Sequence, residues 1–306
     1  MVDAAASDSF AFLAQEKEVV RLGHETLRRG KLSPEAIDRA AACIQRFRTA
    51  AEVRKVDTII AVATASVREA SNSAQFIERI EKATGIRVQV LSGVEEARLI
   101  GLAASRGCAS PGAINLNIDI GGGSTEISLF CNATSLALYS VRLGAVRLTE
   151  NYLKSDPPKP EELSSLRAEV DATFERPARE LKGAEWQYMS GTSGTILALG
   201  LALRARNPSD TQIALAPLSQ LNLEIAAMDQ HDRRAIAGFS SQRADIIVAG
   251  GCILEGAMRA LGVNNLRTCD WALREGVIID YLQDREEESE IEEGLQETIN
   301  QITTTE

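Results

Sequence analysis

The chain has 306 residues, 44% of them hydrophobic and 25% charged, with a formal net charge of −10. That length exceeds what one core usually serves and predicts two domains of ordinary size. No run of about 18 apolar residues is present to span a bilayer, and the start MVDAAASDSFAFLA lacks the basic residues of a secretory signal, so a cytoplasmic protein without membrane association is expected. The charge is unevenly placed: residues 285 to 306 hold eight Glu and one Arg, and the body before them is nearly neutral. Such a tail reads as a solvated helix or a disordered end, and nothing in the chain is basic enough for general nucleic-acid binding. Cysteines at 43, 108, 131, 252 and 269 are odd in number with no C-x-x-C pair, which predicts reduced core residues rather than disulfides or a zinc site. Two distant histidines, His24 and His231, argue against a histidine metal centre or a Ser-His triad.

In chain order, Ser33-Pro34 supplies an N-cap and a first-turn proline, and Ile37, Ala41, Ile44, Phe47 and Ala51 then recur at helical spacing. The apolar run from Thr58 to Ala63 predicts a buried strand. A helix near Ala74 to Ala83 stops at Gly85, and a strand Ile86 to Leu91 follows. A helix near Val94 to Ser105 then leads to a strand Ile114 to Ile120. Strands alternating with helices predict right-handed crossovers and a largely parallel sheet. After Gly121 the pattern becomes period two through Glu126-Ile127-Ser128-Leu129-Phe130, so the glycines join two strands in a hairpin. This separates GGGST from a P-loop and from a dinucleotide fingerprint, both of which open into a helix. Beyond it come a helix from about Glu161 to Leu181, a strand Trp186 to Met189, and SGTSGTILALGLAL, a Ser/Gly/Thr turn running straight into an apolar helix. RADIIVAGGCILEGAMRALG at 243 to 262 reads as a helix, Asn265 to Cys269 as a strand, and Leu273 to Leu282 as a last helix.

Three consecutive glycines between well-patterned strands serve either as a structural turn or as a cradle that an anion approaches closely. A second such turn at a helix start, where free amides and the positive dipole end attract anions, adds to the second reading. Asp119 and Glu126 flank the glycines and could hold a hydrated Mg²⁺, or Asp119 could simply bond the turn. Arg68, after a buried strand, is placed for bidentate phosphate contact or for an ordinary surface role. Glu95 and Glu96 stand in the first turn of a helix, where acidic residues are favoured in any case.

The ordered set VATASVREASN, LSGVEEARLIGLA, NIDIGGGSTEISLF, LGAVRLTE, SGTSGT, RADIIVAGGCIL and LREGVIIDYL resembles the exopolyphosphatase and guanosine pentaphosphate phosphatase family, from about Gln15 to Leu282. The resemblance implies an actin-like ATPase fold, with two α/β domains of ribonuclease-H type facing a phosphate-binding cleft, and the use of Mg²⁺. It divides the chain into residues 1–116, 117–283 and an acidic tail 284–306. It implies a phosphate-binding hairpin at Gly121, Gly122, Gly123, Ser124 and Thr125, metal ligation by Asp119 and Glu126, and phosphate contact by Arg68. It further implies water activation by Glu96 and a later phosphate-binding turn at Ser193, Gly194 and Thr195. Polyphosphate or guanosine pentaphosphate is the expected partner, and a homodimer is compatible with the family. Family members open with a strand and a first loop of the type D-I-G-x-N-S, which MVDAAASDSFAFLAQEKEVVRLG does not resemble. The first domain is therefore expected to be incomplete at its N-terminus, with one acidic Mg²⁺ ligand missing. Two other readings stay open: a binder of phosphorylated nucleotides or polyphosphate without turnover, and a small-molecule kinase.

Overall fold

The computed structural model describes the chain apart from residues 7, 8, 21, 24, 25, 242 and 304–306, so His24 lies outside the described residues. The first part is built of short elements. Strands β1 (Val2–Ala6) and β2 (Ser9–Phe12) pair with each other in antiparallel fashion. Helices α1 (Thr26–Arg29) and α2 (Pro34–Val53) follow, and the Ser33 side chain accepts a hydrogen bond from the Ala36 amide, as the N-cap pattern predicts. Next come β3 (Ala61–Ala63), α3 (Ala65–Arg68), α4 (Ser73–Thr84) and β4 (Val88–Val90). Gly85 ends α4 with a φ of 66°, a left-handed position that glycine takes without steric cost. β3 and β4 pair in parallel over three residues. The strand is shorter than the run from Thr58 predicts, because Ile59 and Ile60 precede the ladder and are 45% and 41% exposed.

Helix α5 (Gly93–Cys108) leads into the main sheet. Its strands are β5 (Ile114–Ile120), β6 (Thr125–Cys131), β7 (Thr134–Val141), β8 (Tyr188–Thr192), β9 (Ile213–Ala214) and β10 (Asn265–Thr268). The order is β7-β6-β5-β8-β10-β9. This sheet is mixed, which corrects the expectation of a largely parallel one. β5, β8 and β10 run parallel, whereas β6, β7 and β9 are antiparallel to their neighbours. The cause is local. Tight turns at 121–124 and at Asn132-Ala133 return the chain directly, and Asn132 takes the left-handed conformation, φ 51°, that asparagine tolerates.

The remaining helices are α6 (Ala145–Tyr152), α7 (Pro160–Glu180), α8 (Ser193–Arg206), α9 (Leu215–Ala227), α10 (Gln230–Arg233), α11 (Ile247–Ala260) and α12 (Leu273–Thr303). Helix α12 continues well past Leu282, so the acidic segment is helical as far as Thr303. One sheet face is apolar: Leu116, Ile118, Ile120, Ile127 and Leu129 form a single core with Leu166, Val170 and Phe174 of α7, Ile196 and Leu199 of α8, and Ile253 and Leu254 of α11. Helices α5 and α12 lie over the opposite face, where Leu102, Ala103, Phe130 and Ile279 cluster and Phe10 packs on Trp271. The two helices approach so closely that a Cβ on Gly276 would fall 2.0 Å from the Leu99 carbonyl oxygen.

One prediction about the cysteines is overturned. Cys108 at the end of α5 and Cys269 just after β10 form a disulfide across 161 residues of sequence. Spacing arguments register neighbouring cysteines, and this pair is made by the fold alone. Cys43 and Cys252 are free and buried, as expected, and Cys131 is free and half-buried.

Candidate functional site

The glycine turn joins β5 to β6 as the period-two pattern predicts, with the Gly121 amide donating to the Ser124 carbonyl at 2.9 Å. Its glycines are needed for close approach rather than for unusual backbone angles, since none of Gly121, Gly122 and Gly123 has a positive φ. A Cβ on Gly123 would lie 2.9 Å from Ala65 Cβ and 3.0 Å from a Leu27 methyl. The carbonyls of Gly121 and Gly122 accept from the amides of Ala145, Val146 and Arg147 at the start of α6. Gly144 makes that possible, because a Cβ there would sit 2.2 Å from Gly122 O. With its carbonyls turned to α6, the loop leaves the amides of Gly122, Gly123 and Ser124 without a hydrogen bond among the described residues. Adjacent unbonded amides form an anion-binding concavity.

Three carboxylates lie near enough beside the turn to repel one another. Asp119 and Glu126 are direct cross-strand partners, so they project from the same sheet face. Glu96 faces them from the first turn of α5, which is capped by Ser92. All three are buried, at 7%, 1% and 7% exposure for Asp119, Glu126 and Glu96. Burial pushes the Asp119 carboxyl up to about 6, against the hydrogen bond from Thr192 and with added repulsion from Glu96. Burial also raises Glu126 well above the ordinary carboxylate range, and the charges of Glu96 and Asp119 raise it further. Ser140 Oγ donates to Glu126 Oε1 at 2.8 Å, while Oε2 is buried with no partner. Glu96 is raised by burial, opposed chiefly by Arg68, whose Nη1 donates to Glu96 Oε2 at 2.8 Å and to the Leu91 carbonyl at 2.9 Å.

Electrostatically the group is a concentration of like charge in low dielectric with one bare oxygen, an arrangement that a cation relieves. Donors of this type, oxygen only, suit a hard divalent ion. Among the described residues no three His, Cys, Asp or Glu side chains close on one point, so such an ion would keep much of its water. A cleft of about 530 Å³ opens onto the turn, lined by Arg68, Ser92, Gly93, Ser124, Ser140 and Arg142 among others.

The later turn lies beside the first. Ser193 Oγ donates to the Ile120 carbonyl at 2.8 Å, tying the start of α8 to the end of β5, and Ser193 adopts φ 78°, a strained value for a residue with a side chain. Thr195 is buried, with its methyl against Gly250 of α11. The side chains of Ser193 and Thr195 are thus committed to packing and hydrogen bonding, and Gly194 lies under a guanidinium: a Cβ there would meet Arg243 Nη2 at 2.0 Å. Arg243 escaped sequence reasoning. Its segment reads as helix from 243, but α11 begins only at Ile247, which leaves Arg243 in the preceding turn. Its guanidinium forms no ion pair or hydrogen bond among the described residues, and burial lowers its pKa from the ordinary arginine value. Glu69 was missed too. It pairs with Arg142 and Arg147, and Arg147 Nε donates to the Gly123 carbonyl at 3.0 Å, so α3 is braced to the glycine turn.

The family model for the Ppx/GppA phosphatase family matches residues 1–285. The chain belongs to this family. It is 34% identical over 288 residues to Exopolyphosphatase 1 of Mycobacterium leprae, covering 92% of this chain and 85% of that protein. The Mycobacterium tuberculosis protein of the same name is also 34% identical, with 84% of its length covered. Among solved structures, an exopolyphosphatase from Cytophaga hutchinsonii superposes with a TM-score of 0.84 at 27% identity, over 92% of this chain and 93% of that one. The Aquifex aeolicus Ppx/GppA family member superposes with a TM-score of 0.76 at 23% identity, over 90% and 91%, a likeness of fold. The α/β architecture is therefore that of Ppx/GppA phosphatases. The glycine turn, the carboxylates and Arg68 all lie within the matched residues.

Proposed function

We propose that this chain hydrolyses terminal phosphoanhydride bonds of inorganic polyphosphate. The observation that carries the reading is a cleft lined by Arg68 and Ser124, with the unbonded amides of the glycine turn at 122–124 and the buried Glu96, Asp119 and Glu126 beside these two residues. The names of the mycobacterial and Cytophaga relatives support polyphosphate as substrate. Guanosine pentaphosphate, which ends in the same anhydride, is the second substrate of this reading.

In phosphoryl transfer the protein contributes mainly positioning and charge stabilisation. The amides of the glycine turn receive phosphoryl oxygens, with the guanidinium of Arg68 on the neighbouring phosphate and that of Arg243 at the start of α8. Glu96 orients the attacking water and takes its proton. Its burial raises its proton affinity, and the Arg68 guanidinium opposes that rise by favouring the carboxylate form. Asp119 and Glu126 are the residues that would hold a divalent cation, which we infer to be Mg²⁺, and Glu126 Oε2 supplies the bare acceptor that such a site needs. When bound, the ion supplies neutralisation of phosphoryl charge. We also place the division between the two domains at the start of β5, a few residues before the expected 116/117 boundary, and read residues 284–303 as the extension of α12.

Phosphate release by the purified chain tests the reading. Long-chain polyphosphate should be consumed from its ends, with loss of activity in excess chelator and recovery on adding Mg²⁺, and guanosine pentaphosphate should compete. Tight polyphosphate binding with no phosphate release would make the protein a binder, and consumption of ATP only with an added acceptor would make it a kinase.

A further inference from the structure

The sheet face that carries Asp119 is polar along β5, and it is buried. Residues 114–120 read INLNIDI, so Asn115, Asn117 and Asp119 share one face while Ile114, Leu116, Ile118 and Ile120 take the other. On the adjacent parallel strand β8, Ser190 stands opposite Asn117 and Thr192 opposite Asp119. Asn115, Asn117 and Ser190 are each 1% exposed and Thr192 not at all. Burying amides and hydroxyls costs several kcal/mol apiece unless they are hydrogen-bonded, and aliphatic side chains would fill this space without that demand.

These groups bond to one another in a row. Asn115 Nδ2 donates to Ser190 Oγ at 3.0 Å, and Ser190 Oγ donates to Asn117 Oδ1 at 2.8 Å. Asn117 Nδ2 then donates to Thr192 Oγ1 at 3.3 Å, and Thr192 Oγ1 donates to Asp119 Oδ2 at 2.5 Å. The direction is forced from the Asp119 end. An ionised carboxylate only accepts, so Thr192 must give it the hydroxyl proton and must itself accept from the Asn117 amide nitrogen. That turns the Asn117 carbonyl toward Ser190 at 2.8 Å, nearer than the Asn115 Oδ1 that the hydroxyl also faces at 3.2 Å, so the single Ser190 proton goes to Asn117 and its lone pair takes the N–H of Asn115. Every dipole in the row therefore points its positive end at Asp119, and bonds in such a chain strengthen one another.

We propose that Thr192, Asn117 and Ser190 are positioning residues that hold Asp119 by Oδ2 and so leave Oδ1 for the site it shares with its cross-strand partner Glu126. The inference rests on the placement of Asp119 at the reacting site in the function proposed above. It predicts an effect on turnover from Ser190, which is three hydrogen bonds away from the carboxylate.

The test measures kcat and KM for phosphate release from polyphosphate, thermal melting, and Mn²⁺ affinity by electron paramagnetic resonance without polyphosphate. Thr192→Val keeps the side-chain shape and removes the hydroxyl; kcat is expected to fall about tenfold, with KM within about twofold. Thr192→Ser, which restores the hydroxyl, should recover at least half of kcat. Ser190→Ala should lower kcat about threefold, and the double variant Thr192→Val/Ser190→Ala should be no worse than Thr192→Val, because the row is already cut. Mn²⁺ affinity should fall and recover in the same order. Wild-type kcat in folded Thr192→Val and Ser190→Ala, equal losses in Thr192→Val and Thr192→Ser, or losses that multiply in the double variant would each overturn the proposal. If Thr192→Val does not fold, Ser190→Ala decides. Asp119→Asn separates the two levels. Full activity in Asp119→Asn removes the underlying reading of the site, whereas loss in Asp119→Asn with full activity in Thr192→Val and Ser190→Ala removes only the positioning role.

Discussion

Arg68 and Glu96 meet at 2.8 Å, the first from the last residue of α3 and the second from the first turn of α5. Burial raises the Glu96 carboxyl, and the Arg68 guanidinium opposes that rise. Glu96→Gln keeps a hydrogen-bond acceptor for Arg68 and removes the base. The expected result is a fall in kcat of at least about tenfold, or about 1.4 kcal/mol in the barrier, with the fold intact by thermal melting. Glu95→Gln is the control, since Glu95 pairs with Arg98 at 2.7 Å instead. A Glu96→Gln protein that releases phosphate at the wild-type rate would remove the base from this mechanism.

Gly122 and Gly144 differ in what crowds them, and the difference separates ligand approach from folding. A Cβ on Gly122 would meet only a Val146 methyl at 3.3 Å, whereas one on Gly144 would strike the Gly122 backbone at 2.2 Å. Gly122→Ala should therefore raise the polyphosphate KM several-fold with a small change in melting temperature. Gly144→Ala should lower stability by about 1 to 3 kcal/mol, the range for an overpacked site. Calorimetric binding and urea denaturation on both variants check this. Unchanged affinity in Gly122→Ala would make the three glycines a structural turn only.

Much of this site is legible in the sequence because it rests on local patterns. INLNIDI and TEISLF alternate with period two on either side of the glycines, so the hairpin and the common face of Asp119 and Glu126 follow directly. Ser33 and Gly85 mark helix ends that the structure places where their chemistry requires. Contacts between distant segments leave no such trace. Arg243 reaches Gly194, Glu69 reaches Arg147, and Cys108 reaches Cys269 only once the fold brings them together. The polar row lies between these cases: the Asn-x-Asn-x-Asp alternation is visible, but its complement Ser190-x-Thr192 can be assigned to it only through the β5–β8 register.

The Cys108–Cys269 disulfide joins the end of α5 to the segment between β10 and α12, on the face opposite the main apolar core. Closing a loop of this length restricts the unfolded chain strongly, and removing such a bridge typically costs about 2 to 5 kcal/mol. Cys108→Ser should lower the urea midpoint of the oxidised protein accordingly. Added dithiothreitol should bring the wild type down to the variant and leave the variant unmoved. A denaturation midpoint indifferent to both changes would show that the Gly276–Leu99 approach and the Arg98–Asp280 ion pair suffice to hold α5 on α12.

Asp119 gives the metal-free protein a pH dependence whose sign can be worked out. Its carboxyl is pushed by burial from an ordinary 3.8 up to about 6 in the folded state. Between those values Asp119 in the folded protein holds a proton that the unfolded chain has released, so its contribution to stability falls as pH rises through the window and falls no further above it, while Glu126, raised well above the ordinary carboxylate range, extends the fall to higher pH. Two units correspond to about 3 kcal/mol, an order-of-magnitude figure. Asp119→Asn removes the ionisable group, so in chelator the variant should be more stable than the wild type at pH 7.5, and the gap should close as pH drops toward 4. Adding Mg²⁺ at pH 7.5 should stabilise the wild type and leave Asp119→Asn little changed, because the ion offsets a charge that the variant lacks. Urea denaturation at both pH values, with and without Mg²⁺, measures all of this. A gap between the two proteins that is the same at pH 4 and pH 7.5 would mean that the Asp119 carboxylate is not held at a cost in the folded state, and the electrostatic case for a cation beside it would fail.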